Sequence, residues 1–301
     1  MKRFLKYTFI FALPILIFLG VVEFAVRRIP NDYQHKTEWM QKNASDVELL
    51  VLGNSHAYFG IDPQYFECKA FSIANVSQDL EYDYKILEKY INKCNRLKYV
   101  ILTIDYPSFI SKLDEGAEAW RLPYYTIYMG IPVQKAKYQL EVLEFERAKG
   151  KIGSFYRDKM PPQWSALGHG LSYKTANKSE DWYKAEAAVK RHTGTNPEII
   201  RENDYYLNKI VACCTERNVK VIMITPPAYY TYYQDVDKGQ LNMMTDKINQ
   251  VLSRYNQTCY YNFFTDSTFK ADDFFDSDHL SSDVGAKHFT QLLNRIIFSS
   301  K

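Results

Sequence analysis

The chain has 301 residues, a formal net charge of +3 and 46% hydrophobic residues. That suffices for one globular domain with a full core and a short appendage. The small net charge, with no long basic run, excludes nucleic acid as a favoured partner, because phosphate binding leaves a clustered Lys/Arg footprint.

Residues 7–26 (YTFIFALPILIFLGVVEFAV) contain Glu23 as their only charge. About 20 apolar residues cross a bilayer as a helix, and Pro14 and Gly20 are tolerated in such a span. A cleaved signal peptide would have a shorter apolar region and a small-x-small cleavage site, which Glu23 two positions before Ala25 fits poorly. Residues 1–30 are therefore expected to form a cytoplasmic tip and a retained transmembrane anchor. Lys2, Arg3 and Lys6 precede the span and Arg27 and Arg28 follow it, so the positive-inside bias puts the amino terminus in the cytoplasm. Residues 31–301 are then expected as one extracytoplasmic domain, periplasmic or at the cell surface.

Five short apolar runs follow: 47–53 (VELLVLG), 70–74 (AFSIA), 99–105 (YVILTID), 219–225 (VKVIMIT) and 258–264 (TCYYNFF). Several lack strict alternation, as strands covered on both faces of a parallel sheet do. Helical patterns lie between them at about 80–93, 202–217, 241–255 and 283–298. The last has the cleanest period, with Val284, Phe289, Leu292, Leu293, Ile296 and Ile297 on one face, and Ser281 or Ser282 as its cap. Strand–helix alternation of this kind predicts an α/β fold with a doubly wound, three-layer α/β/α parallel sheet. Ligands of such sheets gather at the carboxyl ends of the strands.

The stretch from about 108 to 197 breaks the rhythm. It holds an aromatic cluster (WRLPYYTIYMGIP), a charged helical pattern near 133–149, and GHG and TGTNP loops. It reads as an insertion or lid at the carboxyl edge, where Trp120, Tyr124, Tyr125 and Trp164 would line a groove. With 25 tyrosines in the chain, such a groove suits sugar-like ligands, because tyrosine offers an apolar face and a polar tip. The five cysteines have no metal-ligand spacing; a single Cys68–Cys94 bridge is left open.

Two pieces carry possible chemistry. Gly53-Asn54-Ser55-His56 follows the first strand of the domain, where a serine sits on a tight turn at the ligand-binding edge. Gly53 permits the bend, and nearby amides can face a developing negative charge. Asp276-Ser277-Asp278-His279 precedes the last helix. A serine hydroxyl needs a general base, and that histidine needs an acceptor to fix its tautomer. The spacing favours Asp276 over Asp278 as the acceptor. His56 reads as a packed or capping residue, His288 as structural and His169 as a possible substrate contact. His35 and His192 show no constellation.

A serine after the first strand and Asp-x-x-His before the last helix resemble the SGNH hydrolase superfamily, also called GDSL-like esterases. The resemblance covers about 46–106 and 200–298. It implies Ser55 as nucleophile, His279 as base and Asp276 as the orienting acid, with no metal or organic cofactor. The family's second motif has a glycine whose amide helps to form the oxyanion hole; here that place is Ala74. Its third motif usually carries an asparagine, where this chain has Asp105, and an ionised carboxylate cannot donate. The Asn75 side chain is the expected substitute donor.

Single-pass members of the superfamily often act on envelope polysaccharides. The resemblance thus implies an O-acyl, above all acetyl, esterase or O-acyltransferase on a carbohydrate or acylated glycan, with a membrane acyl-donor protein as a partner in the transferase case. The alternative is a non-catalytic protein on the same fold that binds glycans or assembles a polysaccharide complex.

Overall fold

The computed structural model describes residues 1–133 and 139–298. In chain order the helices are α1 (Lys2–Arg27), α2 (Asp32–Asn43), α3 (Ser55–Gly60), α4 (Leu80–Tyr90), α5 (Leu122–Ile127), α6 (Phe145–Ile152), α7 (Glu186–His192), α8 (Pro197–Thr215), α9 (Tyr230–Asp235), α10 (Lys238–Arg254) and α11 (Gly285–Phe298). The strands are β1 (Leu49–Leu52), β2 (Ala70–Ser72), β3 (Tyr99–Thr103), β4 (Lys220–Thr225) and β5 (Thr258–Asn262). Each strand falls within one of the five apolar runs.

The chain divides into two compact units: Met1–Thr37 with Ala119–Pro162, and Glu38–Glu118 with Gln163–Lys301. The 108–197 stretch, expected as one insertion, is therefore shared between them. Part of the charged helix expected near 133–149 lies outside the described residues. Its described part is a single 3-10 turn at Glu141–Leu143 followed by α6.

The second unit holds the sheet. Its strands are all parallel, in the order β2-β1-β3-β4-β5. Side chains alternate across a strand. Leu49, Val51, Ile101, Ile222 and Ile224 join Ala57 and Phe59 of α3 and Phe289 and Leu293 of α11 in one buried cluster. Leu50, Leu52, Val100, Leu102 and Met223 are equally buried on the other face, the side of α4, α8 and α10, which pack on one another and on the sheet. Helices thus cover both faces, and the sequence pattern had no alternation to show. Local chemistry starts these helices. Asp79 accepts from Tyr82 N at 3.1 Å ahead of α4, and Asp237 from Gln240 N at 2.7 Å ahead of α10. Asn196, with Pro197 behind it, accepts from Glu198 N ahead of α8. For α11 it is Ser281 whose hydroxyl accepts, from Gly285 N at 2.9 Å.

In this strand order the winding reverses between β1 and β3, and the carboxyl ends of those two strands border the crevice where ligands of doubly wound sheets bind. Gly53-Asn54-Ser55 leaves β1 there, and Asp105 follows β3.

The first unit contains α1, α5 and α6. Tyr124 and Tyr125 are buried there against Tyr33, with ring centroids 5.1 Å apart in both pairs. These two tyrosines are core residues of that unit. All five cysteines are free thiols, so the Cys68–Cys94 bridge does not form.

Candidate active site

Gly53 leaves β1 at φ +128°, and a Cβ there would stand 1.8 Å from Thr103 Oγ1. Only glycine fits both the angle and the space. The next residue, Asn54, caps α3: its Oδ1 accepts from His56 N at 3.0 Å, while its Nδ2 donates to Asp105 Oδ2 at 2.6 Å. Ser55 is the first residue of α3 and half-buried.

His279 comes from a pinched loop. A backbone bridge joins Phe274 to Leu280, and Phe275 N donates to His279 O at 2.9 Å. Inside the loop, Asp276 Oδ1 accepts from His279 N at 2.8 Å and from Asp278 N at 3.1 Å. The same carboxylate lies 2.9 Å from His279 Nδ1, and His279 Nε2 lies 2.8 Å from Ser55 Oγ. A carboxylate only accepts, so the Nδ1 proton points at Asp276 and the Nε2 lone pair faces the serine hydroxyl. The structure thus brings Ser55, His279 and Asp276 into one hydrogen-bonded chain across 224 residues of sequence. Asp278 approaches His279 Nδ1 only to 3.4 Å.

Behind this chain lies a second one. His56 Nδ1 donates to Asp105 Oδ2 at 2.5 Å, and His56 Nε2 faces Asp278 Oδ2 at 3.4 Å. Burial opposes charge on His56, but the Asp105 and Asp278 carboxylates outweigh it and push the imidazole up to about 10. Burial likewise works against ionised Asp105, and His56 with the Ser108 and Asn54 donors overrides it, drawing the carboxyl down to about 2. Asp278 lies far below the usual carboxylate range despite its burial, held there by His279 and His56. His56 is therefore an imidazolium at neutral pH. Its ring stacks on His279 with centroids 4.4 Å apart and planes 20° apart. His192, without a constellation in the sequence, completes the cluster: its Nδ1 is 2.8 Å from Tyr232 Oη and 3.8 Å from Asp278 Oδ2. Burial drives it down to about 4, which keeps it neutral.

Aromatic rings wall His279. Phe59, Tyr173 and Phe275 form a stack, with centroids 3.8 Å apart for the first pair and 4.1 Å for the second. Tyr173 meets His279 edge-on at 5.3 Å. Nothing in the spacing of the sequence singles out Tyr173, which comes from the loop-rich stretch before α7. The neighbouring His169 is buried, with Nε2 donating to Ser282 O at 3.0 Å. It ties two loops together. His288 lies 3.1 Å from Asp273 Oδ1 and stacks on Phe269.

Asn75 requires a correction. Its Nδ2 donates to Ile73 O at 3.2 Å and to Gln78 Oε1 at 2.7 Å, so both amide hydrogens are taken inside the protein. Gln78 Nε2 passes the chain to Asp83 Oδ1 at 2.7 Å, and that oxygen also accepts from Gly53 N at 2.8 Å. Asn75 therefore braces the turn that carries the serine; its buried side chain has no hydrogen left for an oxyanion. Ala74 is buried directly beyond β2.

His56, Asp278 and His279 bring ligand-type atoms within 4.8 Å of one another. Imidazole lone pairs lie in the ring plane, and stacked planes send them side by side instead of toward one point. The Nδ1 atoms of both rings already meet carboxylates. The donor set fits a proton network better than a metal ion.

The serine at the end of β1 and the Asp-x-x-His before α11 converge at the switch point of a parallel sheet. This layout is SGNH-like. The family described as "Protein of unknown function (DUF1574)" matches residues 177–296, less than half of the chain. No curated protein matches it. Among solved structures, it is similar to a protein described as a platelet activating factor from Streptococcus pneumonia, at 10% identity and a TM-score of 0.43, over 93% of this chain and 96% of that one. It is also similar to a protein described as an acylhydrolase from Bacteroides fragilis, at 11% identity and a TM-score of 0.43, over 87% and 95%. An acetylxylan esterase from Geobacillus stearothermophilus follows at 11% identity and a TM-score of 0.40, over 84% and 95%. At these scores the likeness decides nothing about chemistry, which follows from this chain's own side chains.

Proposed function

We propose that the chain is a serine-dependent O-acyl esterase or O-acyltransferase, with acetyl as its acyl group and envelope carbohydrate as its substrate. The observation that carries this reading is the relay Ser55 Oγ–His279 Nε2–Asp276, at 2.8 and 2.9 Å. Ser55 Oγ attacks the ester carbonyl while His279 Nε2 takes its proton. The tetrahedral intermediate collapses, the ester C–O bond breaks, and His279 returns the proton to the leaving alkoxide. Water or a sugar hydroxyl then attacks acyl-Ser55 by the same route in reverse, giving acid or a new ester. The Ser55 N–H, at the first helical position and without an intrahelical acceptor, is the proposed oxyanion donor.

Carbohydrate is supported by an aromatic surface beside the loop of the base. Tyr229 N donates to Ser277 O at 2.9 Å, and Trp182 packs on Tyr229 with centroids 4.5 Å apart. Tyr183 and Tyr230 next to them are exposed, and such faces suit the apolar side of a sugar ring. An envelope setting is supported by α1, a 26-residue helix with only 11% of its most apolar window buried. With the amino terminus cytoplasmic, the sheet unit would stand outside the cytoplasm.

A second reading has its own observation. Asp105, in the third-motif place, is an anion clasped by His56, Asn54 and Ser108, and Asn75 is turned inward. A thin oxyanion hole suits a glycan-binding or assembly protein that does not turn over. The test compares the full chain with Ser55→Ala for acetate release from an activated acetyl ester, and maps the adduct of a serine-reactive phosphonate. Turnover and a Ser55 adduct that both vanish in the variant support the enzyme. Absence of both in the parent chain rejects it in favour of binding.

A further inference from the structure

The first unit packs a short segment against the far end of α1, and its outer face is apolar. Val142 N donates to Glu23 Oε2 at 2.8 Å, Arg27 Nε to Glu23 Oε1 at 2.5 Å, and Arg27 Nη2 to Gln139 O at 3.1 Å. These bonds satisfy Glu23, the one charge in the apolar run, and fix the height of the segment along the helix. Glu23 is one helical turn before Arg27, about 6 Å along the axis at 1.5 Å per residue. A span of some 20 residues fills a hydrocarbon core of about 30 Å. Residues 139–143 therefore stand level with the last turn of the span, where hydrocarbon gives way to headgroups.

The segment has two faces. Glu141, Val142 and Ala148 are buried, with Glu141 accepting from Tyr128 Oη and, at 2.5 Å, from Lys151 Nζ. Leu140, Leu143 and Phe145 point outward, 40%, 54% and 44% exposed. Water is a poor neighbour for three large apolar side chains on one short stretch. At the height of a membrane boundary, lipid is the neighbour.

We infer that residues 140–145 are an interfacial foot, seated in the bilayer boundary beside α1 and contacting acyl chains through Leu140, Leu143 and Phe145. The inference rests on reading α1 as a membrane span. The contact is apolar and not a headgroup clamp. Residues 139–160 carry five basic and four acidic side chains, and most of the cations are engaged within the unit. Arg147 lies over the Trp120 ring at 3.9 Å, Lys151 pairs with Glu141 at 2.5 Å and Arg157 with Asp158 at 2.7 Å.

The test uses the full chain in phosphatidylcholine nanodiscs, with a photoreactive benzophenone amino acid placed in turn at Phe18, Leu143 and Phe145. Mass spectrometry then identifies what each site captures. Phospholipid adducts at all three sites, unchanged when phosphatidylglycerol is added, are expected. An adduct at Phe18 with none at Leu143 and Phe145 overturns the inference and leaves the anchor standing. Capture of a second copy at Leu143 or Phe145 overturns it in favour of a protein interface. Adducts at those sites only with phosphatidylglycerol overturn the apolar contact. No adduct at Phe18 defeats the anchor, and the foot with it.

Discussion

An imidazolium between two buried carboxylates is stable only as a complete set. His56 shares its two ring nitrogens between Asp105 and Asp278, so deleting the ring leaves two anions in the interior without their cation. Breaking a buried pair in this way typically costs about 3–5 kcal/mol. His56→Leu is expected to lower unfolding stability by about that amount, read from urea midpoints; an unchanged midpoint would show that the pairs contribute nothing net. The two aspartates of the loop should separate in kinetics. In the proposed esterase Asp276→Asn presents the wrong tautomer of His279 and is expected to lower kcat about 10⁴-fold. Asp278→Asn leaves the 2.9 Å contact of Asp276 in place and, acting through alignment alone, is expected to cost no more than about 10²-fold. Equal losses would mean that the acid had been misassigned. At this scale the sequence was partly legible. Ser55, His279 and Asp276 follow from motif spacing, which survives in one dimension. His192 and Tyr173 meet the site only through folding, from loops whose approach no local pattern encodes.

The turn between β1 and α3 shows how an element is pinned from both ends. At Gly53, Ala combines a φ of +128° with a contact of 1.8 Å to Thr103 Oγ1. Backbone strain and overpacking together make Gly53→Ala worth about 2–5 kcal/mol of destabilisation, measured by thermal unfolding. The amide of the same glycine is held by Asp83, whose burial raises its carboxyl from 3.8 to about 8. In the folded state this acid stays protonated up to about pH 8, while in the unfolded chain it ionises near 4. Stability is therefore lost as pH climbs through that window. Asp83→Asn keeps an oxygen to accept from Gly53 and Gln78 but cannot titrate. Its advantage over the parent should grow between pH 4 and pH 8, and parallel curves would refute this. Asp79, raised to about 7 by the same burial, retains part of the slope. All five strands were legible as apolar runs, since hydrophobicity and branching act locally. The helix expected near 133–149 was not. Its described part is a turn and a short helix, shaped by Glu141, Glu23 and Tyr128 partners distant in sequence.

On the scale of the molecule, each unit carries a buried ion with its own response to alkali. In the sheet unit, His56 is raised from 6.5 to about 10, so its stabilising charge is complete below pH 6.5 and lost as pH rises through 10. In the other unit, burial lowers Lys36 from 10.5 to about 7. That group resists folding while charged, and the resistance fades as pH rises from 7 toward 10.5. Calorimetry of the full chain in detergent should show two transitions that move in opposite directions between pH 7 and pH 10. Lys36→Met should cancel the upward one, and a single transition that ignores the substitution would refute the scheme. This partition was hidden in the sequence, because 119–162 groups with the N-terminal residues only after folding.

The 224-residue separation of Ser55 from His279 also sets the order in which the site is made. In the proposed esterase, a ribosome completes the nucleophile 224 residues before the base. Until the loop before α11 has emerged and closed, Ser55 is an ordinary alcohol. In the proposed esterase, nascent chains, and chains clipped before that loop, are therefore expected to be inert toward acyl groups, and closing the loop is itself the switch that arms the serine.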